Sequence, residues 1–483
     1  QFAADDPEPP GWTTHTISHC TVMIDVQRQA NLARGRLHRF AHTGWARFVD
    51  ASAESVYPDR ASLYRRQTAM IDLPGDDAFY VVDVFHVQGG KQHHYSLHLP
   101  TAEVLYKGIA FPEPRPGTLA GEDVPFGKMY DDPQRANATS GFHGYTGSGF
   151  AFLTNPQEAQ SDRPWLASWR QDDIRLRIHW LPTQPMRFIA CNGYPKGNRA
   201  NPPLEYLIAH TQAEGAESLR STFVAVIEAS RSTPPIRSVR LLPLSPAGAD
   251  TVAIEIVHRH GRDVVLLSLT PEKRVELPDG TTCGAAFAVM RWDNEGELRR
   301  AFVSGGEIVH RDWKIQAHDL QGTVAEVLPD KHEVVVHLQG DATAETLQHR
   351  AVLFRAGEHQ ADYEIFRARR EGNRWRLWLG DYEFLRGRAM VGEVDEAQRT
   401  VRTPTVLALD AVAPVQGMAV SNEARTAWWR LKSTRRGEIQ LEGEASLAPL
   451  QADSDGDGRA VLLIWDIGAG DSVFIPGQTE VVR

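Results

Sequence analysis

Cysteine is scarce. Cys20, Cys191 and Cys283 are too few and too scattered for a disulfide framework or a thiolate metal cluster. They allow one bridge at most, and nothing in their spacing requires it. No run of about 18 apolar residues occurs, so no helix is expected to span a bilayer. Basic charge is not in excess either: 62 acidic residues face 52 basic ones, a formal net charge of −10. That balance offers no electropositive footprint for nucleic acid or an anionic membrane surface. Helical repeats, heptads and low-complexity tracts are missing. So are a Gly-rich phosphate loop, a nucleophile elbow and a Cys-His pair.

What is present is alternation. THTISHCTVMID, GRLHRFAHTGWARFVDASAESVY and LYRRQTAMID alternate apolar and polar residues and close on turn residues, the period-2 mark of half-buried strands. The pattern loosens from 101 to 145, where FPEPRPG, GEDVPFG and DDPQRANATSGFHGY read as a long insertion over the sheet. Strands resume from GFAFLTN to LRRAFVSGGEIVHRD, with no convincing helix between them. The fold class expected is all-β: a large antiparallel β-sandwich followed by one or two smaller β domains. Divisions fall at 1–315, 316–400 and 401–483, the last two read from strands such as HEVVVHL, RWRLWLG, AWWRLK and AVLLIWDI. At 483 residues the chain is too long for one core. It begins at Gln1 with no signal-like apolar stretch, and so reads as trimmed of a leader or as a piece of a longer product.

The stretch Phe79–His98, FYVVDVFHVQGGKQHHYSLH, organises the rest: a strand, a turn at Gly89-Gly90, and a second strand with three histidines. Asp83 lies inside the apolar strand, where an unpaired carboxylate would cost several kcal/mol. Arg65 or Arg66 on the neighbouring strand is the expected partner, in a bidentate pair that locks the sheet.

Several motifs together resemble the C-terminal β-sandwich region of heparinase II/III-like polysaccharide lyases. Ser18-His19-Cys20-Thr21-Val22 with Asp25 and Gln29 resembles that family's "HNTV…D…Q", with Cys20 in place of Asn. Tyr64-Arg65-Arg66 and Tyr80-Val81-Val82-Asp83-Val84-Phe85 match its "Y-R-R … Y-x-V-D-x-F". Gly89-Gly90, His93-His94-Tyr95 and His98 match "GG…H-D-Y…H", with His94 in place of Asp. The resemblance extends more loosely to about residue 240 and leaves 316–483 uncovered. It implies secretion or a periplasmic location, and an α/α-toroid segment ahead of the sandwich that this chain does not include.

Such lyases act by β-elimination on uronic-acid polysaccharides. The proton beside the uronate carboxylate is weakly acidic, so a site must neutralise the carboxylate, place a base and protonate the leaving oxygen. By resemblance, the neutraliser and the Tyr base come mainly from the toroid, so this chain holds no catalytic residue and would be inactive alone. It would supply one wall of a cleft for an acidic polysaccharide of glycosaminoglycan or alginate type. His93 or His98 would line that cleft, set against the plainer reading of exposed histidines at a strand end.

His19 is, by resemblance, a ligand of a structural zinc whose other ligands lie upstream; a hydrogen-bonded sheet histidine is the plainer reading. His15 cannot substitute, because residues i and i+4 of a strand stand about 13 Å apart. The same distance separates His94 from His98.

Asp453-Ser-Asp455-Gly-Asp457-Gly458 resembles the first half of a calcium loop, but Ile464 stands where an EF-hand needs an acid; a polar hairpin turn is favoured. Asn137-Ala-Thr139 fits a short glycan-acceptor pattern. Trp428-Trp429 must point to opposite faces, so one of the two is a candidate exposed platform for a sugar ring. Besides a lyase part, two other readings stand: a non-catalytic carbohydrate-binding or interaction module derived from such a lyase, and an unrelated multi-domain β protein.

Overall fold

The computed structural model describes Trp12 and residues 15–30, 35–75, 78–99, 103–134, 145–195, 198–215, 217–231, 233–248, 250–405, 407, 409, 414–453, 456 and 458–483. The fold is all-β, as the alternation implies; the one α-helix among the described residues is the four-residue turn Ala344–Leu347. Among the described residues thirty-five strands form five sheets.

The first sheet runs in the order Val22–Ile24, Gln92–Leu99, Leu204–Gln212, Met186–Gly193, Thr154–Ser161. The second has eight strands, with Ala61–Asp72, Phe79–Gly89 and Arg220–Ser230 side by side at its centre. The third is built from residues 236–317. These three stack with the second in the middle, and the strand Phe79–Gly89 shows why. Successive side chains of a strand point to opposite faces, so a strand with apolar residues on both faces must be buried on both. Tyr80, Val82 and Val84 pack with Phe287, Val289 and Phe302 of the third sheet. Phe85 and Val87 pack with Tyr95 and Leu97 of the first, beside Trp165 and Trp180. Each such side chain contributes roughly 1.5–3 kcal/mol on burial, so this strand ties two cores together.

The outer face of the first sheet is partly roofed by the long insertion and by the residues that follow it. Met129, Tyr145, Phe152 and Leu153 cover Ile189, Cys191, Tyr206 and Ile208. All three cysteines are free thiols.

The fourth sheet takes strands from 320–378 and the fifth from 385–465. The chain then returns: Ser472–Ile475 inserts between Ala351–Ala356 and Leu320–Leu328 in the fourth sheet. Gln478–Val482 pairs with Leu298–His310 in the third. The divisions 1–315, 316–400 and 401–483 thus stand only as a proposal for folding units. The sheets themselves cross the line at 400, since Leu385–Met390 and Val394–Asp395 belong to the fifth.

Candidate functional site

The motif residues meet at the junction of the first two sheets, where most of them serve as joints. Asp83 points toward the first sheet. Arg66 grips it bidentately through Nε at 2.8 Å and Nη2 at 2.7 Å, while Tyr95 donates its hydroxyl from the facing sheet. Arg65 pairs with Asp50 instead. The expected sheet lock is therefore Arg66–Asp83, and it reaches across to a second layer.

Asp25 holds the hairpin turn. Its carboxylate accepts the backbone N–H groups of Lys91 at 2.6 Å and Gln92 at 3.2 Å. Gly90 must be glycine there: its φ is +59°, and a Cβ would lie 2.5 Å from Ile24 Cγ2 and 2.7 Å from Asp25 Oδ2. Gln29 donates to the Tyr64 hydroxyl at 2.7 Å, and Tyr64 donates to the Val22 carbonyl at 2.5 Å. These contacts fasten the short strand Val22–Ile24 to both sheets.

The histidines separate by strand parity. His93 faces the second sheet and is fully buried. Its ring nitrogens lie 2.8 Å from Ser221 Oγ and 2.7 Å from the Gly89 carbonyl, so both are engaged inside the protein. Burial pushes its pKa down to about 4. His98 faces outward, half-buried, with its ring 5.3 Å from that of Tyr206. His19 is exposed at the sheet edge, alongside the same strand, since the Ser96 N–H donates to the Thr21 carbonyl at 3.0 Å. His15 is buried, its Nε2 2.6 Å from the Gly147 carbonyl. Among the described residues no group of three His, Cys, Asp or Glu side chains is placed to hold a metal ion. His19 would need two ligands beyond them, so the residues described do not by themselves fit the implied zinc.

His94 and two residues not singled out in the sequence form a row on the outward face. His94 and His210 are directly paired across strands with ring centroids 4.3 Å apart, and Phe150 lies over His94. Arg187 donates through Nε and Nη2 to His210 Nδ1, at 3.2 and 3.0 Å, and through Nη1 to Glu158 at 3.3 Å. His94 Nδ1 and His210 Nε2 are buried with no hydrogen-bond partner. Burial, with Arg187 adding to it, pushes His210 down to about 4. Burial likewise holds His94 well below its ordinary value. The row thus combines two neutral imidazoles with a partly exposed guanidinium. His210 and Arg187 sit in strands that the sequence marks as such, EYLIAHTQ and MRFIACNG. Only their cross-strand register brings them to His94, and one sequence does not encode register openly.

At one end of the same sandwich Glu205 is buried, accepting from Tyr106 at 2.6 Å and Asn192 at 3.0 Å, and burial raises it to about 7. Of the calcium-like stretch, Asp453 accepts the N–H groups of Gly456 and Gly458 at 2.8 and 2.7 Å, a turn-closing role. Asp455 and Asp457 lie outside the described residues, as does Asn137-Ala-Thr139. Trp428 is the exposed member of its pair, at 41%, and Trp429 the buried one, at 5%.

No protein-family model matches the chain, and no curated protein matches it. Among solved structures it is similar to a heparan sulfate lyase, HepC, from Pedobacter heparinus, at 11% identity and a TM-score of 0.32, over 53% of this chain and 31% of that one. It is similar to a heparinase III at 10% identity and a TM-score of 0.29, over 53% of this chain and 30% of that one. A galactose mutarotase related enzyme from Lactobacillus acidophilus is similar at 9% identity and a TM-score of 0.21, over 41% and 70% of the two chains. The chain spans under a third of the length of the lyases it matches. Likenesses at these scores carry no activity over to it.

Proposed function

We propose that this chain is the β-sandwich part of a polysaccharide lyase that acts by β-elimination on uronic-acid polysaccharides of glycosaminoglycan or alginate type. The outer face of its first sheet would form one wall of the substrate cleft. The observation that supports this most is the row Arg187–His210–His94, sharing a face with His98 and flanked by exposed His19. The partly exposed Arg187 guanidinium suits a carboxylate or sulfate on a sugar, with the buried imidazoles of His210 and His94 packed behind it. The base and the carboxylate neutraliser belong, in this reading, to an α/α-toroid segment beyond the chain. Zinc at His19, with ligands from that segment, and a secreted or periplasmic setting are parts of the same proposal.

The test has two arms. The natural gene product, incubated with alginate and heparan sulfate, should develop the ultraviolet absorbance of an unsaturated uronate. The chain alone should bind acidic oligosaccharides without producing it, and Arg187→Ala should weaken that binding about tenfold. A native product that neither binds nor cleaves any acidic polysaccharide would sink the reading. Cys20 and His94, standing where the resemblance has Asn and Asp, favour a second reading: a binding module that has lost the chemistry. Binding without cleavage by the native product would select it.

A further inference from the structure

Between the fourth and fifth sheets, in the part of the chain that the family resemblance does not reach, lies a cleft of about 580 Å³. That volume is in the range of small-ligand sites. Its lining includes Glu326, Trp428, Trp429, Arg430, Glu442 and Glu444. Trp428 donates its indole N–H to the Arg425 carbonyl at 3.1 Å, which fixes the ring by its polar edge and leaves apolar ring surface exposed. Trp429 is turned inward, with its N–H on the Ala445 carbonyl.

The charged side chains in the lining are mostly acidic. Arg430, the only cation in the lining, is spent: it donates to the carbonyls of Gly417 at 2.9 Å and Ala469 at 2.6 Å, and pairs with the buried Asp471. Glu326 comes from the fourth sheet, Glu442 ends the strand Glu438–Glu442 of the fifth, and Glu444 lies two residues beyond it. Glu326 and Glu444 are exposed and have no partner among the described residues; Glu442 accepts one bond, from Gln416. Ionised carboxylates accept hydrogen bonds and cannot donate, so the rim selects ligands rich in donors and repels sulfates and uronates. An indole face favours a flat sugar face and attracts a cation placed over it.

We propose that this cleft binds a pyranose carrying a free amine: an amino-sugar unit stacked on Trp428, with its ammonium held by Glu326, Glu442 and Glu444. The site is separate from the outer face of the first sheet and does not rest on the lyase reading. It would place a cationic-glycan site and an acidic-glycan site at different ends of one chain.

Calorimetric titration of the full chain tests this with four probes. These are glucosamine oligomers, their N-acetylated counterparts, alginate oligomers and oligolysine. Glucosamine oligomers should bind about tenfold more tightly than the N-acetylated ones. Trp428→Ala and the double variant Glu326→Gln/Glu444→Gln should each weaken that binding about tenfold, with the melting temperature unchanged. Alginate binding, if present, should be insensitive to both variants. No binding of glucosamine oligomers, binding unaffected by Trp428→Ala, or equal affinity for the N-acetylated oligomers would overturn the proposal. Oligolysine binding as tightly as the glucosamine oligomers would also overturn it, reducing the cleft to an acidic patch.

Discussion

Between the second and third sheets, Tyr80 donates across the gap to Asp263 at 2.6 Å, and Arg291 grips the same carboxylate from its own sheet with two bonds of 2.7 Å. Between the fourth and fifth, Tyr363 donates across to Asp466 at 2.7 Å, which Arg386 grips from the fifth sheet. The first and second sheets use the same trio in Tyr95, Asp83 and Arg66. What differs is depth. The arginine side chains are 9% exposed in the Asp263 trio, 36% in the Asp83 trio and 48% in the Asp466 trio. A buried pair resists loss of one partner because the other is left as an uncompensated charge, whereas a partly wetted arginine can turn to solvent. The Asp263 lock is thus the deepest, the Asp83 lock is intermediate, and the Asp466 lock of the C-terminal sheets is the most open to water.

That ranking can be broken by three matched substitutions. Asp263→Asn should cost the most, about 3–5 kcal/mol. Asp83→Asn should cost about 3 kcal/mol and Asp466→Asn only about 1–2 kcal/mol. Thermal unfolding checks the order, and equal losses would show that depth is not what separates the trios. Gly90→Ala should follow at about 1–3 kcal/mol, because the positive φ and the close approach of Asp25 both penalise a Cβ. Its effect should be confined to the three-layer transition.

Acid should separate the two parts as well. His86, His93 and His210 are pushed down to about 4 by burial, from an ordinary 6.5. Between those values the unfolded chain binds protons that the folded chain refuses, so stability rises with pH across that window and falls as pH drops from about 6.5 to about 4. All three belong to the first two sheets. Asp466 behaves otherwise: burial opposes its ionisation, but bonds from His359, Arg386 and Tyr363 outweigh that and hold it at about 2. Its contribution is present above 3.8 and fades only as pH falls toward 2. The three-layer part should therefore loosen first on acidification, and hydrogen exchange at pH 7 and pH 4.5 would show whether it does. The smallest effect concerns thiols: in the native protein Cys20, the one cysteine not fully buried, should label before Cys191 and Cys283.

Alternation made the strands and the all-β class legible, and it marked Asp83 as needing a partner. It did not choose between Arg65 and Arg66, because that choice depends on which face each shares with Asp83. Parity in Gln92–Leu99 sets His94 with His98, as read from the sequence. It also sends His93 inward, which became visible only once the second sheet was seen to lie behind it. The Arg187–His210–His94 row was illegible for a similar reason: three strands distant in sequence supply it, and their register is fixed by packing. Trp428 was legible to the extent of one in two, since adjacent residues must diverge but nothing local says which faces water.

The return of Gln478–Val482 to the strand Leu298–His310 bears on how the chain comes to be folded. Arg300–Ser304 waits with open backbone donors and acceptors until the fourth and fifth sheets have been synthesised and the last strand arrives. An edge left unpaired for that long is an invitation to another chain. Removing 478–482 would make that exposure permanent, so a truncation that spares every candidate binding residue should still promote aggregation.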